Sequence, residues 1–230
     1  MKIPLFDLDG TLLQSGRGNK PHQDAFNFAL KSVYHLPNAS FFDIIPDGMV
    51  DNQIFVEIVN LHGVNQKEAI EKLPLATQAE IDYYMTHKDE QPSLAHHGSK
   101  ELLELLMPQT HCGVLTGNIE QIGWEKLRQA GLLSYISFGS FGNLAMQRVD
   151  LIGIAKKRYE EKFREERPLT DFVIIGDTPR DIFCAKDGGI QVIAVATGNY
   201  TYETLAKENP DLILHSLEEK EKIIEFLQVS

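Results

Sequence analysis

The chain has 230 residues, of which 43% are hydrophobic and 24% charged. A chain of this length buries roughly 70% of its unfolded surface, so it needs no disulfide or metal staple to fold. The 22 basic and 33 acidic residues leave a net charge of −11, which argues against a general nucleic-acid or anionic-membrane surface but leaves room for a local cationic pocket. Cys112 and Cys184 sit singly in apolar runs, with no C-x-x-C and no disulfide framework. An acidic residue as early as Asp7 is unlike a secretory leader, and no apolar run approaches a membrane span. We therefore expect a cytoplasmic protein, a monomer or small homo-oligomer, with no nucleic-acid or membrane partner.

Ile3–Phe6 is an apolar run ending in Asp7 and the turn Asp9-Gly10-Thr11, which reads as a buried strand. Residues 14–20 are polar and linker-like. Pro21 opens a helical tract carrying Ala25, Phe28 and Ala29. Asp51–His62 repeats the helical spacing in Ile54, Phe55, Ile58 and Val59. Lys67–Met85 is a third tract, with a break expected near Pro74. Beyond Pro92 strands and helices alternate. Helices are expected at Ser99–Met107, Ile119–Ala130, Val149–Arg167, Pro179–Asp187 and Leu217–Leu227. Strands are expected at Gly113–Leu115, Ile136–Phe138, Phe172–Ile175, Val192–Ala196 and Leu212–Leu214. Alternation of this kind marks an α/β fold with a doubly wound parallel sheet. The first strand joins that sheet across about seventy helical residues, so the expected organisation is a Rossmann-like core, 1–13 and 91–230, with an all-helical domain inserted at 14–90.

Ligands of open parallel sheets bind at the carboxyl ends of strands. Three such ends are polar here: Asp7 and Asp9, then Thr116-Gly117-Asn118, then Asp177 and Asp181. Each alone could be a cap or turn residue, but three together point to one crevice. Clustered carboxylates repel and stay ionised only around a cation. An all-oxygen donor set favours Mg²⁺, which binds through one or two carboxylates plus phosphate oxygens. One carboxylate can then attack phosphorus and a carboxyl two residues away can pass the proton. The Thr116 hydroxyl and the start of the next helix offer donors to a phosphoryl oxygen.

Asp7-Leu8-Asp9-Gly10-Thr11-Leu12, Leu115-Thr116-Gly117-Asn118 and Ile175-Gly176-Asp177-Thr178-Pro179-Arg180-Asp181 resemble motifs I, II and IV of the haloacid dehalogenase (HAD) superfamily, in the right order. The resemblance implies that Asp7 is a nucleophile forming an aspartyl-phosphate. It implies that Asp9 is the general acid/base and lends its backbone carbonyl to Mg²⁺. It casts Thr116, Gly117 and Asn118 as phosphate-binding residues, Asp177 as a Mg²⁺ ligand and Asp181 as an acid that orients the metal's surroundings. The helical insert resembles a C1-type cap, and the whole a phosphoglycolate-phosphatase-like protein.

The cation of motif III departs from the family pattern, because no Lys-Pro stands before the helix preceding motif IV. Arg148, Lys156 and Lys157 are the candidates. Arg148 is favoured, since it stands just ahead of that helix and offers a planar bidentate grip, whereas the lysines fall mid-helix. In the insert, Gly16-Arg17-Gly18 reads as a hinge or linker, His22 and Gln23 lie on its first helix, and Gly48 with Asp51-Asn52 resembles a cap turn or a helix cap. His96-His97 reads as surface loop, and Trp124 with Phe26, Phe28, Phe41 and Phe42 as core. The activity these residues imply is hydrolysis of a small phosphorylated metabolite by a Mg²⁺-dependent phosphatase. Phosphomutase or phosphonatase chemistry is the alternative; a phosphonatase would need a Schiff-base lysine, for which Lys20, Lys31 and Lys67 have no obvious setting. A non-catalytic phosphate-binding module is a further alternative, disfavoured because Asp7, Asp9 and Thr116 are all retained.

Overall fold

The computed structural model describes residues 1–15 and 20–229; the expected hinge Gly16-Arg17-Gly18 lies outside them. Six parallel strands form one sheet: β1 (Ile3–Phe6), β2 (Gly113–Thr116), β3 (Phe138–Phe141), β4 (Phe172–Gly176), β5 (Gln191–Val195) and β6 (Leu212–Leu214), in the order β3-β2-β1-β4-β5-β6. The chain is thus α/β with the doubly wound parallel sheet that alternation implied. The order reverses between β2 and β4, which flank β1, and the carboxyl end of β1 faces the crevice there.

Alternate strand residues serve opposite faces, as the pleat requires. Phe6, Val173, Ile175, Ile193 and Val195 pack on one side with α4 (Ser99–Leu106), α5 (Glu120–Gln129) and α9 (Lys220–Leu227). Ile3, Leu5, Phe172, Ile174 and Val192 pack on the other with α6 (Asp150–Phe163), α7 (Pro179–Asp187) and α8 (Tyr202–Lys207). Full burial of such a side chain is worth ~1.5–3 kcal/mol. Double-sided burial explains why these strands read as unbroken apolar runs rather than alternating ones.

The inserted segment holds α1 (Lys20–Val33), α2 (Asp51–Leu61) and α3 (Gln66–His87) around a cluster of its own, including Phe26, Leu30, Phe55, Ile58 and Leu73. Phe26 stacks on Phe55 with ring centroids 3.8 Å apart. Pro74 does not break α3: it stands within the helix on its exposed face.

Other expectations need correction. The third strand runs Phe138–Phe141, not Ile136–Phe138, because Ser137 first bonds back to Cys112 and only then does the ladder with β2 begin. The helix expected to reach Arg167 ends at Phe163, with Arg164 in the left-handed region at φ 57°. Glu160 accepts from Lys156 and from the Arg167 N–H. The last helix begins at Lys220, and α8 had no expectation. Phe28 and Phe42 are exposed, at 42% and 63%, whereas Phe26 is core. Cys112 and Cys184 are buried free thiols. Among the described residues no helix is long and apolar enough to cross a membrane.

Candidate active site

Strand β1 stops at Phe6, but the Asp7 N–H still donates to Ile175 O at 2.9 Å. That one extra bond fixes Asp7 at the sheet's upper edge. Gly10, at φ 91°, turns the chain back, and a Cβ on it would lie 2.3 Å from Asp177 Oδ2, so only glycine lets the turn close over that carboxylate. Asp177 follows β4 and accepts from Thr11 Oγ1 at 2.9 Å. Asp181 lies in the first turn of α7; its Oδ2 takes the Thr178 N–H at 3.1 Å and the Thr178 hydroxyl at 2.8 Å, half of a capping box.

One oxygen each from Asp7, Asp177 and Asp181 lie within 4.8 Å of one another, all buried. Arg148 Nη2 stands 3.1 Å from Asp7 Oδ2 and 2.5 Å from Asp181 Oδ1. Burial pushes the Asp7 carboxyl up to about 6 even though Arg148 opposes it, and burial with Asp7 and Asp181 alongside drives Asp177 well above the ordinary range. Asp181 and Asp7 together hold the buried Arg148 guanidinium charged. Lys156 and Lys157 pair instead with Glu160 and Glu161 on the outer face of α6.

Asp9 turns the other way. Its Oδ2 accepts from Asn118 Nδ2 at 2.9 Å and Lys126 Nζ at 2.7 Å. Burial would raise its pKa, but Lys126 and then His22 more than offset it, and the carboxyl is held below its usual range. Thr116 Oγ1, at the end of β2, accepts from Asn118 Nδ2 at 2.8 Å. Asp7, Asp9, Thr116, Gly117, Asn118, Arg148 and Asp177 thus line one crevice, with Asp181 beneath Arg148.

The helical segment adds Gln23, Phe41, Phe42 and Met49 to the lining of the crevice. Asp51 does not cap its own helix, where Val50 is the cap. Its N–H donates to Gly117 O at 2.9 Å and its Oδ2 accepts from Ile119 N at 2.8 Å, so it caps α5 across the crevice. Met49 O packs so close to Gly117 that a Cβ there would lie 1.9 Å away. Of the weaker candidates, Lys20, Lys31 and Lys67 lie on exposed positions, His96-His97 sits away from the site in a loop, and Trp124 packs beside Phe141.

Two buried charged residues near the site had no reading in the sequence: Lys126 and Glu80, both fully inaccessible. A signal existed. Lys126 continues the stripe Ile119, Ile122, Gly123 on α5, and Glu80 continues Leu73, Ala76 on α3, each a charge at a position where the period of 3.6 demands an apolar residue.

Residues 147–220 match the family model described as HAD-hydrolase-like. None of the curated proteins matches the chain in sequence. Among solved structures, a hydrolase from Pseudomonas syringae superposes with a TM-score of 0.72 at 18% identity, covering 99% of both chains. A haloacid dehalogenase-like family hydrolase from Streptococcus pneumoniae gives 0.63 at 20%, again over 99% of each. A predicted phosphoglycolate phosphatase from Haemophilus somnus gives 0.65 at 21%, over 97% of each. The segments that resemble motifs I, II and IV stand at the ends of β1, β2 and β4; residues 147–220 match the HAD-hydrolase-like family model, and the chain as a whole carries the fold of the haloacid dehalogenase-like proteins.

Proposed function

We propose that the protein is a phosphatase that hydrolyses a small phosphomonoester through an aspartyl-phosphate on Asp7. The observation that carries this reading is the meeting of Asp7, Asp177 and Asp181, from two different strand ends, within 4.8 Å of one another at the base of one crevice. In this reading residues 14–90 act as the cap domain of a core formed by 1–13 and 91–230.

The donor set fits Mg²⁺: it is all oxygen, and Gly10 and Gly198 leave no Cβ to crowd Asp177 Oδ2, which one on Gly198 would approach to 1.7 Å. Asp7 and Asp177 through their carboxylates, and Asp9 through its backbone carbonyl, would hold the ion, with Asp181 orienting its surroundings. When bound, Mg²⁺ supplies positive charge that keeps the carboxylates ionised and screens them from the phosphate dianion.

The chain's own residues do the rest. An oxygen of Asp7 attacks phosphorus; the new P–O bond forms as the bond to the leaving oxygen breaks, and that oxygen takes its proton from Asp9, whose carboxyl, ionised in the free site, takes up a proton once the charge of the phosphate dianion lies beside it. Asp9 then accepts a proton from water, whose oxygen attacks the aspartyl-phosphate, releasing phosphate and restoring Asp7. Thr116, the Gly117 and Asn118 N–H groups and Arg148 grip the phosphoryl oxygens. Arg148 Nε and Nη1 are buried with no hydrogen-bond partner among the described residues, which leaves them as donors for that task. The cap keeps bulk water from the acyl-phosphate.

Phosphate release from p-nitrophenyl phosphate tests the reading. It should require Mg²⁺ and vanish in Asp7→Asn. Equal release by the wild type and Asp7→Asn would remove the assignment.

A further inference from the structure

Lys126 on α5 joins the two halves of the molecule. Its ammonium donates to Asp9 Oδ2 and to Asn118 Oδ1, each at 2.7 Å, and stands 3.1 Å from His22 Nδ1 on α1. His22 Nε2 in turn lies 2.8 Å from Glu80 Oε1 on α3 and 3.5 Å from Asp51 Oδ2. The ring thus bridges the Lys126 ammonium on its Nδ1 side and the Glu80 carboxyl on its Nε2 side. Burying a lysine ammonium is costly unless it is paired and hydrogen-bonded, so such a chain is not filler between helices. Its effect on Asp9 is one-sided. Oδ2 is held twice, whereas the buried Oδ1 has no hydrogen-bond partner among the described residues. The carboxyl is therefore oriented by one oxygen and keeps the other for a reacting group.

We propose that Lys126, steadied from the helical segment by His22 and Glu80, is the positioning residue that aims Asp9 at the reacting oxygen, so that Asp9 is aligned only while α1 and α3 are seated on α5. This rests on the phosphatase reading and adds to it a device by which the inserted helices reach the acid/base without touching substrate.

The two half-reactions separate this role from a structural one. Nitrophenolate leaves without a proton, so with p-nitrophenyl phosphate only the attack of water depends on Asp9. Lys126→Met should then give a burst of nitrophenolate at the wild-type rate, one per enzyme, followed by turnover ~10²-fold slower. With an alkyl phosphate, whose leaving oxygen needs a proton, the variant should show no burst and slow turnover. Glu80→Gln and Lys126→Arg should show the same pattern with smaller losses, and they carry the test if circular dichroism shows Lys126→Met unfolded. Unchanged turnover, or a burst slowed as much as turnover, overturns the proposal while leaving the phosphatase reading standing. A wild type that releases phosphate from neither compound removes that reading, and this inference with it.

Discussion

Arg148 sits between two carboxylates that would otherwise face each other in a buried pocket, with Nη2 on both Asp7 and Asp181. Removing it leaves those charges without compensation, a change that typically costs ~3–5 kcal/mol. Arg148→Ala should therefore lower the urea midpoint of the metal-free protein. It should also depress phosphate release by orders of magnitude, while Lys156→Ala and Lys157→Ala, which break only pairs on the outer face of α6, stay near wild type. Comparable losses in all three would reverse the choice of cation. Asp7, Asp9 and Asp177 were legible in the sequence because each follows an apolar run at a strand end, where polarity has few structural excuses. Lys126 and Glu80 were not, since a charged residue on a helix is read as solvated until its partners are known. Those partners lie 117 residues away for Lys126 and Asp9, and 58 away for Glu80 and His22.

Elements meet around the site through close-packed glycines and through ion pairs. Gly142, just after β3, is so close to the Thr116–Asn118 loop that a Cβ would lie 1.7 Å from Gly117 O. Gly142→Ala should push that loop and Thr116 out of place. A misplacement of the order of 1 Å costs ~10²-fold in rate, and overpacking costs ~1–3 kcal/mol in stability. Steady-state kinetics on p-nitrophenyl phosphate check the first, and unchanged kinetics would show that the loop yields elsewhere. Glu125 on α5 ties that helix to Lys88 at the end of α3 and accepts a bidentate grip from Arg128 at 2.7 and 2.8 Å. The Arg128 bonds, with Lys88, hold its carboxyl down to about 2 against the effect of burial. Because the folded-state value lies below the ordinary one, this contribution is complete above the normal glutamate range and is lost as pH falls towards about 2. The stability gap between wild type and Glu125→Gln, read from urea midpoints, should be widest near neutrality and close across that acid window. A gap independent of pH would contradict it. At this scale helix starts such as Pro179 were legible from capping chemistry. The end of α6 was not, because a left-handed Arg164 has no signature in a run of charges.

Across the whole molecule, a sheet buried on both faces supplies the rigidity, and the inserted helices supply the roof. The sheet's composition announced itself, since double-sided burial leaves continuous apolar runs; the seating of the helices depends on contacts such as Asp51 to Ile119 that no local pattern encodes. A cation bound between carboxylates of this rigid edge should stabilise the whole fold. Mg²⁺ at about a hundred times its dissociation constant contributes ~2.7 kcal/mol, or a rise of roughly 5–10 °C in Tm for a chain of this size. Asp177→Asn should lose that rise, and an equal rise in the variant would place the ion elsewhere. The most direct measurement is to quench the enzyme with acid during turnover of a phosphomonoester in Mg²⁺ and map the modified peptide by mass spectrometry. The account predicts a phosphoryl group on Asp7, absent from Asp7→Asn. Phosphate release with no phosphoryl group trapped, or one trapped on another residue, would contradict it.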